Sequence, residues 1–88
     1  MKKSKLELNG LHETVITSNG KEVRISTRYV PYPLGHGWET LVLLLGKRGE
    51  PLKASYEKPL DEKRYGESAY AAENGHKKLV NKWLKGVA

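Results

Sequence analysis

The sequence predicts an α+β domain in which a small antiparallel sheet of three to four strands packs on one C-terminal helix. Two β-rich runs flank Asn19-Gly20, a dipeptide that favours the two-residue turn of an N-terminal β-hairpin. Near residue 67 the spacing of apolar residues changes from the strand period to the helical period. One helix on one face of an antiparallel sheet is the simplest arrangement that buries both patterns.

The second arm of the predicted hairpin alternates between two faces. Its inward set is Val23, Ile25, Thr27 and Tyr29. Its outward set is Glu22, Arg24, Ser26 and Arg28. A period of two is typical of a strand with one buried face. In the first arm either Val15 or Ile16 points to the core, and the sequence leaves that register open.

The third predicted strand, residues 39–45, is apolar on both faces because residues 41–45 form an unbroken apolar run. A strand of this kind lies in the centre of a sheet with both faces covered, or packs against a partner chain. A turn follows at residues 46–51, and the alternation at residues 52–56 predicts a return strand. The charged residues 61–64 are predicted to end that strand and form a loop.

The predicted helix spans Glu67 to Lys85. Its core-facing stripe, spaced by three and four residues, is Ala69, Ala72, His76, Leu79, Val80 and Trp83. Gly66 or Ser68 is suited to cap the start, and Gly86 is suited to end the helix. A glycine inside a helix costs about 1 kcal/mol relative to alanine, so Gly75 indicates close packing of the helix on the sheet.

Length and composition predict a single domain at residues 6–88, preceded by a flexible basic arm at residues 1–5. The chain has no cysteine, which excludes disulfides, thiolate metal sites and cysteine catalysis. A secreted domain of this size usually relies on disulfides, so we expect a cytoplasmic location. The basic start has no apolar signal-peptide region, and residues 41–45 are too few to span a membrane.

The net charge of +6 is concentrated at the two ends. Three lysines precede Glu7 and four follow Glu73, whereas the region between them is nearly balanced. Basic ends of this kind either contact nucleic-acid phosphates or form a solvated surface. The sequence leaves both alternatives open.

The histidines and serines do not form a recognisable catalytic or metal-binding pattern. No pair among His12, His36 and His76 has the spacing of a helical metal pair, and no serine lies in a nucleophile motif. We predict His76 to be a buried imidazole with a backbone or tyrosine partner. We therefore expect no enzyme activity, no metal, no cofactor and no small-molecule substrate.

The connection between the second and third strands, residues 31–37, is the candidate binding loop. Its prolines and glycines serve the connection itself, whereas Tyr32 and His36 are not required by it. The flanking Tyr29 and Trp38 are either core anchors or aromatic rings on which nucleic-acid bases stack.

The candidate nucleic-acid contacts are the arginines beside these aromatics, the basic tip of the turn at residues 46–49 and the lysines on the outer face of the helix, because arginine and lysine pair with phosphates. The set is Arg24, Arg28, Lys47, Arg48, Lys78, Lys82 and Lys85.

Four short motifs resemble a group of small uncharacterised proteins of phages and bacterial genomes. They are Ser26-Thr27, Trp38-Glu39-Thr40-Leu41-Val42, Arg64-Tyr65 and Gly75-His76. The resemblance covers residues 25 to about 80. This chain departs from the group in a shorter central loop, a tryptophan in place of phenylalanine and a slightly different spacing before Gly75. The resemblance implies a phage-type accessory protein and supplies no activity.

The predicted architecture is also similar to the DNA-binding domains of some phage-type integrases and AP2-like plant regulators, in which a three-stranded sheet enters the major groove. On that analogy Arg24, Ser26 and Arg28 would face DNA. Fold likeness alone does not establish function.

Two functions remain as hypotheses. The first is a non-enzymatic module that binds another protein or itself, with a homodimer formed through strand 39–45. The alternative is a nucleic-acid-binding module that uses the basic ends and the exposed sheet face.

Overall fold

The structure, a computed structural model, describes residues 10–31, 33–35 and 37–85. In this part of the chain, an antiparallel sheet in the order β1-β2-β3-β4 carries a C-terminal helix, which confirms the predicted α+β class. The strands are β1 (Leu11–Ile16), β2 (Glu22–Val30), β3 (Gly37–Leu44) and β4 (Asp61–Gly66). The helices are α1 (Lys53–Glu57) and α2 (Ala69–Leu84). The predicted basic arm and the predicted helix end at Gly86 lie outside the described residues.

The β1–β2 hairpin places Val15 opposite Val23 and settles the register that the sequence left open. Val15 is buried, whereas Ile16 is 61% exposed. The predicted two-residue turn is wrong, because the loop has three residues between Thr17 and Lys21. The Thr17 amide donates to the Lys21 carbonyl at 2.8 Å, and the Gly20 amide donates to the Thr17 carbonyl at 2.9 Å. With φ of 86°, Gly20 takes the left-handed position that follows a type I turn in such loops.

The apolar strand β3 lies in the centre of the sheet, as its two-sided pattern predicts. It pairs with β2 over its whole length and with β4 from Trp38 to Val42. Val42 is buried towards α2, while Leu41 and Leu43 are buried on the other face. Over the residues paired with β4, both edges of β3 are hydrogen-bonded within the chain. A homodimer stays a prediction, but this stretch has no free edge for it.

Two predictions for the segment after β3 are wrong. Residues 53–57 form the short helix α1 instead of a return strand, and the charged residues 61–64 belong to β4 instead of a loop. The Ser55 hydroxyl donates to the Leu52 carbonyl at 2.6 Å and supports the turn of α1. Residues 61–66 form β4 because the backbone of β3 offers unpaired hydrogen-bonding groups along that edge. As an edge strand, β4 can keep its charged side chains in water while its backbone completes the ladder.

Helix α2 packs on one face of the sheet with its predicted stripe. Ser68 caps the start, because its hydroxyl accepts from the Ala71 amide at 3.1 Å. Ala72 and His76 are buried, and Leu79, Val80 and Trp83 pack on the sheet core. That core consists of Val15, Val23, Ile25 and Val42.

A second cluster covers the other end of the interface between α2 and the sheet. Trp38 is 8% exposed and packs with Ala72, and Leu11, Tyr65 and Ala69 surround them. The ring of Tyr29 meets Trp38 edge to face, with centroids 5.4 Å apart and planes at 71°. Trp38 is therefore a core anchor, whereas Tyr29 is 43% exposed at the margin of the core.

Gly75 permits the close approach of α2 to β4 that its position predicts. A Cβ at Gly75 would overlap the ring edge and hydroxyl of Tyr65. The helix therefore contacts the sheet through its backbone at this point, and the lost helix propensity is offset by packing.

Gly75→Ala is expected to destabilise the protein by about 1–3 kcal/mol, although alanine is the better helix former, because the added methyl overpacks against Tyr65. Urea unfolding followed by tryptophan fluorescence measures this loss. Asn74→Ala is the matched control, since Asn74 is exposed on the same helix and should be neutral or slightly stabilising. A Gly75→Ala variant as stable as the control would show that the close contact is not needed.

Candidate functional site

A chain of hydrogen bonds crosses the interface between α2 and the sheet. His76 on α2 is 1% exposed, and its Nδ1 lies 2.6 Å from Oγ1 of Thr27. Thr27 Oγ1 lies 2.5 Å from Oγ1 of Thr40, which lies 3.0 Å from the Tyr65 hydroxyl. On its other side, His76 Nε2 lies 3.0 Å from Oε1 of Glu13. The imidazole thus contacts β1 and β2 directly, and the chain of hydrogen bonds through Thr40 and Tyr65 extends this link to β3 and β4.

Glu13 determines the direction of the hydrogen bonds for a neutral imidazole. An ionised carboxylate only accepts, so His76 Nε2 carries the proton and Nδ1 accepts from Thr27. Thr27 then accepts from Thr40, and Thr40 accepts from Tyr65, so each proton is used once. Among the described residues, no buried side-chain nitrogen or oxygen lacks a partner.

Burial raises the pKa of the Tyr65 phenol above its usual value; the hydrogen bond with Thr40 opposes this effect in part, and the nearby charge of Asp61 adds to it. The phenol therefore remains protonated through the neutral pH range and available as the donor to Thr40. This agrees with the direction of the hydrogen bonds that Glu13 sets.

The order of carboxylate, imidazole and hydroxyl in this chain matches that of a nucleophilic triad, but Thr27 is 0% exposed. This hydroxyl has no access to solvent in the structure, and the hydrogen bonds join α2 to the sheet. We call the set of Glu13, Thr27, Thr40, Tyr65 and His76 the structural lock. The prediction that His76 is buried is confirmed. Its predicted backbone or tyrosine partner is wrong, because Thr27 and Glu13 occupy those places.

One residue from each of the four short motifs in the sequence lies in this lock. They are Thr27, Thr40, Tyr65 and His76, and Gly75 gives Tyr65 its space. These four residues therefore contribute to packing and hydrogen bonding between α2 and the sheet. Glu13 was missed, although it shares the inward face of β1 with Val15, because a carboxylate there has no visible partner until α2 brings His76 to it.

Thr40→Val is expected to destabilise the protein by about 1–3 kcal/mol, because it removes the acceptor of Tyr65 and the donor to Thr27 while keeping the side-chain shape. The measurement is the free energy of unfolding in urea. Thr14→Val on β1 is the control, since Thr14 is exposed and its replacement should change stability by less than about 0.5 kcal/mol. Equal effects of the two replacements would contradict the lock.

The other face of the sheet, turned away from α2, carries a basic groove of about 320 Å³ that we call the open-face groove. Arg24, Ser26 and Arg28 project to this face because they alternate with the buried residues of β2. The lining consists of His12, Arg24, Ser26, Arg28, Leu41, Leu43, Pro51 and Tyr56. It contains two arginines and no acidic side chain.

The two arginines of the open-face groove are held differently. Arg24 donates from Nη2 to the Gly49 carbonyl at 3.3 Å, which ties its guanidinium to the turn that bears Lys47 and Arg48. The Arg28 side chain is 54% exposed, and its Nε lies 3.9 Å from Oε1 of Glu39. The Glu39 side chain is 18% exposed, but the pair is at the distance limit of an ion pair, and the half-exposed guanidinium has further N–H donors to offer a ligand.

The remaining candidate cations lie on α2 or directly after it, and two of them have acids nearby. Lys78 and Lys82 share a surface depression with Asp61 and Glu62. Lys82 Nζ lies 2.8 Å from Oδ2 of Asp61. Lys85 follows the last residue of α2. The structure thus separates the predicted nucleic-acid contacts into a sheet group, Arg24, Arg28, Lys47 and Arg48, and a helix group, Lys78, Lys82 and Lys85.

The pairing of Lys82 with Asp61 affects the acid's protonation. Burial alone would raise the pKa of the Asp61 carboxyl, but the hydrogen bond and charge of Lys82 outweigh it and lower the pKa below its usual value. The Trp83 indole also donates to Asp61, at 3.4 Å. Lys82 is therefore engaged in holding the end of α2 to β4.

The candidate loop residues Tyr32 and His36 lie outside the described residues, so their binding role stays a prediction. On one side of the loop, the Tyr29 hydroxyl donates to the Glu67 carboxylate at 2.8 and 3.0 Å. Within the loop, the Gly35 amide donates to the Pro31 carbonyl at 3.0 Å.

Two further findings concern the described part of the chain. It contains no group of three or more histidine, cysteine, aspartate or glutamate side chains placed to hold a metal ion. None of its helices is long and apolar enough to cross a membrane.

Comparison of the chain with protein-family models, curated proteins and solved structures gives no match.

Proposed function

We propose that the protein binds nucleic acid with the sheet face opposite α2. The observation that supports this most strongly is the open-face groove, which is lined by two arginines and no acid, with the Glu39 carboxylate 3.9 Å from Arg28 at its margin. A concave surface with one sign of charge concentrates anionic ligands, and phosphate neutralisation supplies most of the affinity for nucleic acids. The helix group is a weaker candidate, because Asp61 and Glu62 offset its charge.

The spacing of the arginines supports an extended anionic ligand. Arg24 and Arg28 lie four residues apart on β2, which corresponds to about 13 Å along a strand. At this spacing the two guanidinium groups can each contact a separate phosphate of an extended strand. The exposed Lys47 and Arg48, in the turn that Arg24 contacts, extend the same basic surface beyond the groove.

Replacing both arginines, Arg24→Gln and Arg28→Gln, is expected to lower the affinity for an oligonucleotide by about tenfold for each lost phosphate contact at about 0.1 M salt. The slope of log K against log salt should fall by about one for each contact. Fluorescence anisotropy with a labelled oligonucleotide measures both quantities.

The matched control is Lys78→Gln together with Lys85→Gln, which removes the same charge from the helix group and should have a smaller effect. Circular dichroism and urea unfolding verify that each double variant is folded. An equal loss of affinity in both double variants would mean that net charge alone drives binding, and the sheet face would lose its assignment.

A second candidate function, protein binding by a cytoplasmic phage-type accessory protein, is favoured by an apolar groove beside α1. Its volume is about 440 Å³. Its lining consists of Leu44, Leu52, Ala54, Ser55, Glu57, Lys58 and Leu60. Leu52 and Leu60 are 40% and 42% exposed, and exposed leucines in a shared concavity are typical of interaction surfaces.

If this apolar groove joins two copies, the mass measured by sedimentation equilibrium should rise with protein concentration, and Leu60→Ser should shift that rise to higher concentration. Leu34→Ser is the control, since Leu34 is 86% exposed and does not line this groove. A wild-type mass that stays at the monomer value throughout would exclude self-association by this route.

A further inference from the structure

We infer that the open-face groove accepts a single nucleic-acid strand, with a base stacked on Tyr56, and that it discriminates against a duplex. This inference rests on the proposed function and names its substrate class. Three features support it: the walls of the groove, the apolar floor and the exposed aromatic ring beside the arginines.

The walls distinguish this face from a sheet that enters a DNA groove. A β-ribbon that enters the DNA major groove presents a freely projecting surface to the base edges. Here the segment after β3 packs against that strand, and Pro51 and Tyr56 line the groove together with residues of β1, β2 and β3. The face is therefore bounded on the β3 side. A bounded channel suits a flexible single strand, whereas a rigid duplex would meet the α1 segment.

The floor of the open-face groove is suited to a base and unsuited to a phosphate. Leu41 is 8% exposed and Leu43 is 2% exposed, so the floor between Ser26 and α1 is a thin strip of apolar surface. A phosphate would lose hydration there without gaining a partner. An unpaired base offers an apolar π-face to the leucines and polar edges to the hydroxyl of Ser26.

Tyr56 provides the stacking surface. Its side chain is 49% exposed and lines the groove, so its ring is available beside the leucine floor. Aromatic stacking combined with a basic track is the common way in which proteins hold single strands. Arg24 and Arg28, on β2, can hold the backbone phosphates while a base lies against Tyr56. In a duplex the bases are paired and stacked, so this contact is not available.

The test compares a labelled single-stranded oligothymidine with a duplex of equal length, at the same salt concentration, by fluorescence anisotropy. We expect the single strand to bind at least about tenfold more tightly than the duplex. Tyr56→Ala should lower the single-strand affinity by about fivefold to a hundredfold, the range found for base–aromatic stacking. Tyr56→Phe should retain most of that affinity, because the ring is kept.

Tyr70→Ala is the matched control for the tyrosine replacement. Tyr70 lies on α2, is 79% exposed and does not line the open-face groove, so its loss should leave binding unchanged. Unfolding curves for all three variants verify that they are folded.

The outcomes separate this inference from the proposed function. If the duplex binds as tightly as the single strand, or if Tyr56→Ala binds like the wild type, the inference is overturned. The proposed function survives that result when the double replacement of Arg24 and Arg28 still weakens binding. If neither oligonucleotide binds at low salt, both the proposed function and the inference are wrong.

Discussion

The hydrogen bonds of one buried imidazole constrain the rest of this structure. His76 lies in the interface between α2 and the sheet, where each ring nitrogen must find a partner. Thr27 and Glu13, on adjacent strands, provide these partners. Apolar packing of α2 on the sheet is favourable but non-directional, so by itself it permits several helix positions. An unsatisfied buried polar group costs about 1–3 kcal/mol, which selects the position in which the chain from Glu13 to Tyr65 is complete.

The placement of α2 on one face determines what the other face can do. Because the buried residues of β2 are turned towards α2, the alternating residues Arg24, Ser26 and Arg28 are turned away from it. The chain then leaves β3 and forms α1 before it returns as β4, and Pro51 and Tyr56 come to border the arginine-bearing surface. The structural lock and the proposed binding surface thus lie on opposite faces. Replacements in one can therefore be made without removing contacts in the other.

Prediction from sequence succeeded where a strong local pattern coincided with the packing. The alternation in β2, the central position of β3 and the stripe on α2 were all predicted. It failed where tertiary pairing outweighed local preference. Residues 61–64 have the composition of a loop, but they form β4 because the edge of β3 offers hydrogen bonds. The turn prediction failed for a local reason: Asn19-Gly20 favours a two-residue turn, but the Thr17 hydroxyl accepts from the Lys21 amide at 3.1 Å and supports a longer one.

The sequence by itself determined the fold class, the inward face of β2 and the burial of His76, because these follow from periodicities that one short segment contains. Only the tertiary structure decided which side chains complete the lock, since Glu13 and His76 are 63 positions apart. It also decided which cations act together. Seven were equivalent candidates in sequence, and the fold placed Arg24 and Arg28 along one groove, with Glu39 beside Arg28, while it set Lys78 and Lys82 beside Asp61 and Glu62. Charge complementarity depends on distances in space, and sequence order does not specify these distances.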